Sequence, residues 1–316
     1  MRDIRDLETT EFQVPVIPDF LQWPEPNSSL VQIDFGAATH PGKIRPHNED
    51  SYIIYQVGRY WEKLFTSLNE GEVPDRHEEH AYAMAVADGI GGNSGGEVAS
   101  SMAIKVCVSL VLNSARWALK LDNPETRTEE LTDAKRRIEE YFRKVDAALT
   151  QYADKYPRLL GMGTTLTGAY TSGNDLFTMH VGDSRAYLFR GGQLKQLTRD
   201  QTLVQALVEA GTIKPEEVHS HYLRHTLTSC LGGQNGEVNL DIQHWRLHDG
   251  DRVLLCSDGL TEMVREPDIA QVLANNESSH RACQALVDLA VDNGGRDNVT
   301  VLVARHTWPT DKQPGR

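Results

Sequence analysis

Four aspartates in this sequence share one context: Asp50, Asp88, Asp258 and Asp297 each lie at the boundary of an apolar, strand-length run, and three of them have a glycine within two residues. If they converge they cannot remain bare, because two carboxylates ~4 Å apart repel by about 4 kcal/mol at an effective dielectric near 20. Divalent cations relieve that repulsion. An all-oxygen donor set, with no His or Cys at matching positions, favours Mg²⁺ or Mn²⁺ over Zn²⁺. The sharpest of the four segments is Ala81 to Gly96, AYAMAVADGIGGNSGG, in which an apolar run ends at Asp88 and five of the next eight residues are glycine. Glycines there clear space for the backbone to turn, so that the Gly89 carbonyl can lie beside the Asp88 carboxylate.

Any one such segment also reads as a strand ending in a flexible turn with an ordinary aspartate. Two nucleotide motifs fail on the residue that matters. Ser94 stands where the third glycine of a dinucleotide fingerprint belongs, and Glu97 stands where a P-loop needs lysine. His77-Glu78-Glu79-His80 lacks the i, i+4 histidine spacing of a zinc helix. Arg45, just before Asn48-Glu49-Asp50, supplies a guanidinium suited to bidentate contact with a phosphate or carboxylate.

The elements that must position these residues follow from hydrophobic period. Val31 to Gly36 and Ser51 to Val57 read as strands, and Gly58 to His80 as a polar surface insertion. Val98, Met102, Val106 and Leu110 mark a helix to about Arg116; a second, with the clearer 3.6 period, follows Pro124. From Gly163 the pattern returns to strands on short turns, Gly163 to Tyr170, Leu176 to Val181 and Ala186 to Phe189, with Asp183 in a hairpin turn. Leu203 to Ala210 is helical, and the polar, His-rich stretch to Gly236 is a candidate flap. Strands at Leu240 to Arg246 and Asp251 to Cys256, a helix at Ala282 to Asn293 and a closing strand at Val299 to Ala304 complete the order.

At 316 residues the chain can bury its own core. Its formal net charge of -13, from 45 acidic and 32 basic residues, and the absence of a dense Lys/Arg cluster argue against nucleic acid as a partner. No apolar h-region opens the sequence and no run approaches the ~20 residues of a membrane span, so no membrane partner and a cytoplasmic location are expected. Cys107, Cys230, Cys256 and Cys283 never form a C-x-x-C pair and read as free thiols.

Five segments in order give these features a common meaning: Arg45-x-x-Asn48-Glu49-Asp50; Ala87-Asp88-Gly89-Ile90-Gly91-Gly92; Gly163-Thr164-Thr165 with Gly182-Asp183-Ser184-Arg185; Ser257-Asp258-Gly259-Leu260; and Arg296-Asp297-Asn298. The chain resembles the metal-dependent protein serine/threonine phosphatases of type 2C, in their bacterial form. That resemblance implies an α+β fold, a four-layer α-β-β-α sandwich of two antiparallel sheets flanked by helices, over residues 31–305. Residues 1–30 would be a Pro-containing extension, 58–80 the insertion, 198–236 the flap region and 306–316 a tail. It implies two Mn²⁺ or Mg²⁺ ions held by Asp88, Asp258, Asp297 and the Gly89 carbonyl, with Glu49 and Asp50 holding coordinated waters. Asp183 with Asp258 resembles a third, weaker metal site. Arg45 would grip the phosphoryl group during in-line attack by a metal-bridging hydroxide, with no phosphoenzyme.

The resemblance further implies phosphorylated proteins as partners, Ser/Thr kinases or their substrates, and a monomeric enzyme in signalling. Three positions depart from the pattern. Ile90 stands where some members carry a histidine proposed to protonate the leaving alcohol, Asn93 where many bacterial members have histidine, and Glu262 where others place aspartate. The rival reading is a catalytically silent relative that binds phosphoproteins or kinases; a third is hydrolysis of another phosphoester by the same aspartates.

Overall fold

Two antiparallel sheets lie face to face in the computed structural model, which describes residues 31–91, 95–114, 119, 121, 125–233 and 238–309. The first sheet has the order β1-β12-β11-β7-β8, from β1 (Gln32–His40), β7 (Arg185–Arg190), β8 (Gln193–Gln196), β11 (Arg252–Cys256) and β12 (Val299–Thr307). The second follows β10-β6-β5-β3-β4-β9, with β2 paired to β3. Its strands are β2 (Asp50–Glu62), β3 (Arg76–Ile90), β4 (Gly163–Thr164), β5 (Leu166–Ser172), β6 (Asp175–Val181), β9 (Leu231–Gly232) and β10 (Asp241–Arg246). Helices α1 (Gly95–Leu112) and α2 (Arg127–Lys155) cover the outer face of the second sheet. Helices α5 (Glu266–Asn275) and α6 (Ser279–Asp292) cover the first. Short helical pieces α3 (Leu203–Glu209) and α4 (Asp258–Thr261) complete the set. The result is the α-β-β-α sandwich expected.

The continuous apolar runs of β11 and β12 are explained by cover on both faces. Val299, Val301 and Val303 point to α5 and α6, while Leu302 and Ala304 point to the opposite sheet, where Met84, Val86, Ala169 and Leu176 meet them. Leu254, Leu255 and Leu302 are fully buried, each contributing on the order of 1.5–3 kcal/mol relative to exposure. α2 shows the opposite pattern, with Phe142, Val145 and Leu149 buried on one face and charges on the other.

Several expectations change. β3 does not end at Asp88 but continues to Ile90, because Gly89 and Ile90 pair with Thr164 and Gly163. The segment 58–80 is an insertion only at its tip: Gly58 pairs with His80 and Glu62 with Arg76, so its two ends lengthen the β2–β3 hairpin. The Gly182-Asp183-Ser184 turn is not a hairpin turn, since β6 belongs to one sheet and β7 to the other. It is a crossing between layers, made at Gly182 with φ of 113°. The Gly163 to Tyr170 strand is split at Thr165, helix α5 was not read from the sequence at all, and β12 runs past residue 305 to Thr307, with Trp308 buried behind it. α1, at 18 residues with a mean hydropathy of 1.5, is by length and composition apolar enough to cross a membrane, against the expectation that no run approached it. In the fold its Ala99, Ala103 and Ile104 are buried against the sheet and α2. The N-terminal extension, Asn93 and the final residues from 310 lie outside the described residues.

Candidate metal centre and active site

The carboxylates singled out in the sequence are delivered to one end of the sandwich. Asp50 and Asp88 face each other as register partners at the start of β2 and near the end of β3. Asp258 opens α4 directly after β11, Asp297 precedes β12, and Asp183 sits in the turn that crosses between the sheets. Asp88, Gly89, Asp183, Asp258 and Asp297 line one cleft of about 1360 Å³, together with Arg45, Glu49 and Glu262.

Backbone pairing fixes Asp88. Its N–H donates to Thr165 Oγ1 at 3.0 Å, and its carbonyl accepts from the Thr165 N–H at 2.9 Å and from Thr164 Oγ1 at 2.8 Å. Gly89 and Gly96 pass so closely that a Cβ on Gly89 would lie 2.2 Å from the Gly96 carbonyl oxygen, and one on Gly96 would lie 2.7 Å from the Gly89 oxygen. Only glycine fits at that crossing. The start of α1 is thereby packed against the backbone that carries Asp88.

Asp50 is held from behind. Ser257 Oγ and Thr300 Oγ1 donate to its Oδ2 at 2.8 and 2.7 Å, while Oδ1 is buried without a hydrogen-bond partner. Asn298 ties the loop that carries Arg45 and Glu49: its Nδ2 donates to the carbonyls of Pro41 and His47, both at 2.9 Å, and its Oδ1 accepts from the Glu49 N–H at 2.8 Å. Arg45 Nη2 donates to Asp297 Oδ2 at 2.7 Å.

Crowding and burial set the electrostatics. Asp88 is pushed well above the ordinary carboxylate range, first by loss of water and then by Asp50, Asp258, Asp183 and Asp297. Asp258 is pushed up in the same way, with Asp183 and Glu262 its leading neighbours. Burial also lifts Asp50 to about 6, against the hydrogen bonds from Thr300 and Ser257, and lifts Asp183 to about 7 with help from Asp200. Glu49 is raised by burial, and Arg45 opposes the rise. A fold that gathers carboxylates at this cost, and leaves a buried Asp50 oxygen unpaired, has a donor set that fits divalent cations.

The comparisons with known proteins bear on this arrangement. Residues 74–290 match the family model described as Protein phosphatase 2C. The chain belongs to the protein phosphatase 2C family. It is 33% identical over 269 residues to the serine/threonine phosphatase stp of Listeria welshimeri, covering 84% of this chain and 92% of that protein. It is 40% identical over 243 residues to the serine/threonine protein phosphatase PstP of Mycobacterium tuberculosis, covering 75% of this chain. There the chain spans only 43% of the relative's length. Among solved structures, the catalytic domain of PstP in complex with two manganese ions superposes with a TM-score of 0.66 at 31% identity, covering 88% of this chain and 99% of that one. The two-sheet sandwich is therefore the phosphatase 2C fold, and the cation fit of its carboxylates agrees with metal use in the family.

Sequence reasoning missed several supports within this family framework. Thr300 and Ser257, which grip Asp50, are buried polar residues in otherwise apolar strand surroundings, and that mismatch was the available signal. Arg185 turns away from the cleft to make a bidentate pair with Asp200, at 2.8 and 2.7 Å, which anchors the base of the flap. His225 was only part of a His-rich stretch in the sequence; in the fold it lines the cleft. Ile90 lines it too, so the position where some members carry histidine offers no proton here.

Proposed function

We propose that this chain is a Mn²⁺- or Mg²⁺-dependent protein phosphatase that hydrolyses phosphoserine and phosphothreonine. The observation that carries the reading is the convergence of Asp88, Asp183, Asp258 and Asp297 on one cleft, with Asp50 buried behind Asp88 and Arg45 at the rim. Asp88, Asp258, Asp297 and the Gly89 carbonyl hold two cations, and Asp183 shares a weaker site with Asp258. Bound there, divalent cations supply Lewis acidity and hydroxide near neutral pH.

The chain's own residues do the rest. Arg45, more than half exposed at the cleft edge, binds the phosphoryl oxygens and aligns the group for in-line attack. Glu49 and Asp50 orient water, Asp50 from a fixed position given by Ser257 and Thr300. No side chain need be phosphorylated. Ile90 has no proton to give, so the leaving alkoxide takes its proton from water or from another group of the cleft. The substrates are phosphorylated proteins, Ser/Thr kinases or the targets of such kinases, and the enzyme acts as a cytoplasmic monomer in signalling.

Substrate profiling tests this class. With Mn²⁺, kcat/KM for phosphothreonine and phosphoserine peptides should exceed that for a phosphotyrosine peptide and for sugar phosphates at least tenfold. Equal rates across all of them would replace the protein phosphatase reading with a general phosphoesterase.

A further inference from the structure

Between the second sheet and its covering helices lies a cavity of about 150 Å³ that shares no lining residue with the metal cleft. Strand register explains it. One row across the sheet reads Ile53, Ala85, Gly168 and Met179, so the two middle strands, β3 and β5, present almost no side chain where their neighbours β2 and β6 present large ones. Ile53 packs in the cluster that holds α1, and Phe177 of β6 packs with Ala134 of α2. Supported on both sides, the helices bridge the gap instead of filling it. Ala83 and Ala85 accordingly stay partly accessible, although strands flank them and helices lie above.

The wall is apolar with one polar corner. Ile138, Phe142, Leu166 and Met179 supply hydrocarbon, ring and thioether surface. At the corner, burial pushes the Tyr55 hydroxyl up to about 12, with Cys107 and then Tyr141 as the next causes. No hydrogen bond joins that hydroxyl to another described residue, whereas a buried tyrosine ordinarily finds a partner. Arg137, the charged residue on the wall, pairs along α2 with Asp133, Nε to Oδ2 at 3.3 Å. Its charge is answered within the helix, so the wall suits a neutral guest.

We propose that this cavity binds a small neutral aromatic molecule of the phenol or indole class, its ring over Ala85 and Gly168 and its single polar group hydrogen-bonded to the Tyr55 hydroxyl. Size is the first argument. An apolar cavity of ~150 Å³ takes a benzene-sized guest and otherwise stays dry. Protein interiors are close-packed, with few voids larger than a water molecule, so a gap of this size over two adjacent strands calls for an occupant. Chemistry is the second. Ring and sulfur surfaces favour an aromatic guest over an aliphatic one, and the Tyr55 hydroxyl sets one hydrogen-bonding position at the edge. An anionic guest would be buried without a cation to answer it, because Arg137 is already engaged by Asp133.

The cavity stands apart from the phosphatase site, and binding rather than turnover is measured. Phenol, indole, benzene and octanoate are titrated calorimetrically into the full chain, for the parent, Tyr55→Phe and Ala85→Leu. The parent should bind one phenol or indole per chain with Kd below ~1 mM, and octanoate at least about tenfold more weakly. Tyr55→Phe keeps the ring and removes the hydroxyl, so it should weaken phenol about three- to tenfold and leave benzene unchanged. Ala85→Leu fills the gap, so it should weaken every aromatic probe at least about tenfold while holding or raising Tm. Absence of saturable phenol and indole binding in the parent, or binding that survives Ala85→Leu, overturns the site. So does an Ala85→Leu chain whose Tm falls by more than ~5 °C, which would show the space already filled. Octanoate binding as tight as phenol, or equal loss of phenol and benzene in Tyr55→Phe, overturns the neutral aromatic class.

Discussion

Asp50 and Asp88 are direct partners across the antiparallel β2–β3 ladder, two carboxylates placed opposite each other where a strand pair normally avoids like charge. Each is raised above the ordinary carboxylate range, by burial first. The arrangement favours cation binding at the expense of the metal-free fold. Asp88→Asn should therefore abolish turnover while raising the stability of the metal-free chain at pH 7.5. Urea denaturation in chelator checks the second half; an equal or lower midpoint would show that the carboxylates are not in conflict.

The same carboxylates predict a pH dependence with a definite sign. A carboxyl whose folded pKa lies above its unfolded one binds more protons when folded, so stability falls as pH rises between the two values. With Asp50 at about 6 and Asp183 at about 7, the loss in chelator should extend from about pH 4 to about pH 7.5. Asp88 and Asp258, also raised, add to the decline, which should be visible in Tm between about pH 5.5 and 7.5. Saturating Mn²⁺ should remove it. A metal-free Tm that climbs across that interval would contradict the electrostatic account.

Asn298 holds the Arg45–Glu49 loop with three hydrogen bonds from one buried amide. Asn298→Ala should cost about 2–4 kcal/mol, because it leaves the Pro41 and His47 carbonyls and the Glu49 N–H without their partner. Chemical denaturation with metal present measures this. A cost under ~1 kcal/mol would mean the loop is held some other way.

Gly89→Ala is the sharpest steric test. Its Cβ would fall 2.2 Å from the Gly96 carbonyl oxygen and 2.8 Å from that of Glu49, both backbone atoms. The substitution should destabilise by about 3 kcal/mol and lower Mn²⁺ affinity, since α1 must move off the strand that carries Asp88. Normal Mn²⁺ titration in a folded Gly89→Ala variant would argue against the tight crossing.

Arg45 separates binding from folding. Its side chain is 54% exposed, so Arg45→Ala should change stability by less than about 1 kcal/mol, yet lower kcat/KM about 10–100-fold. Arg45→Lys should recover only part of it, because a point charge lacks the guanidinium fork. Full recovery by lysine would reduce the role of Arg45 to charge alone.

Much of this centre was legible because its carriers are local. A buried strand handing over Asp-Gly leaves an abrupt change of composition, and it repeats at Asp88 and Asp258. Glycine spacing likewise marked where backbones cross. What was not legible depends on which layer a strand joins. Asp183 sat between two runs that look like a hairpin, and nothing in Leu176 to Phe189 shows that the chain changes sheets there. Helix α5 went unread because its ten residues show only two fully buried positions, Ile269 and Leu273, too few to display a period. Ser257 and Thr300 acquire meaning only when β11 and β12 are paired and Asp50 is brought against them.

The most direct test of the central claim is phosphate release from a phosphothreonine peptide with Mn²⁺, with Mg²⁺ and with chelator, running Asp258→Asn beside the parent. The account predicts release that requires the metal and falls at least a thousandfold in the variant, with both proteins folded by circular dichroism. Metal-independent release, or an Asp258→Asn variant close to the parent, would contradict it.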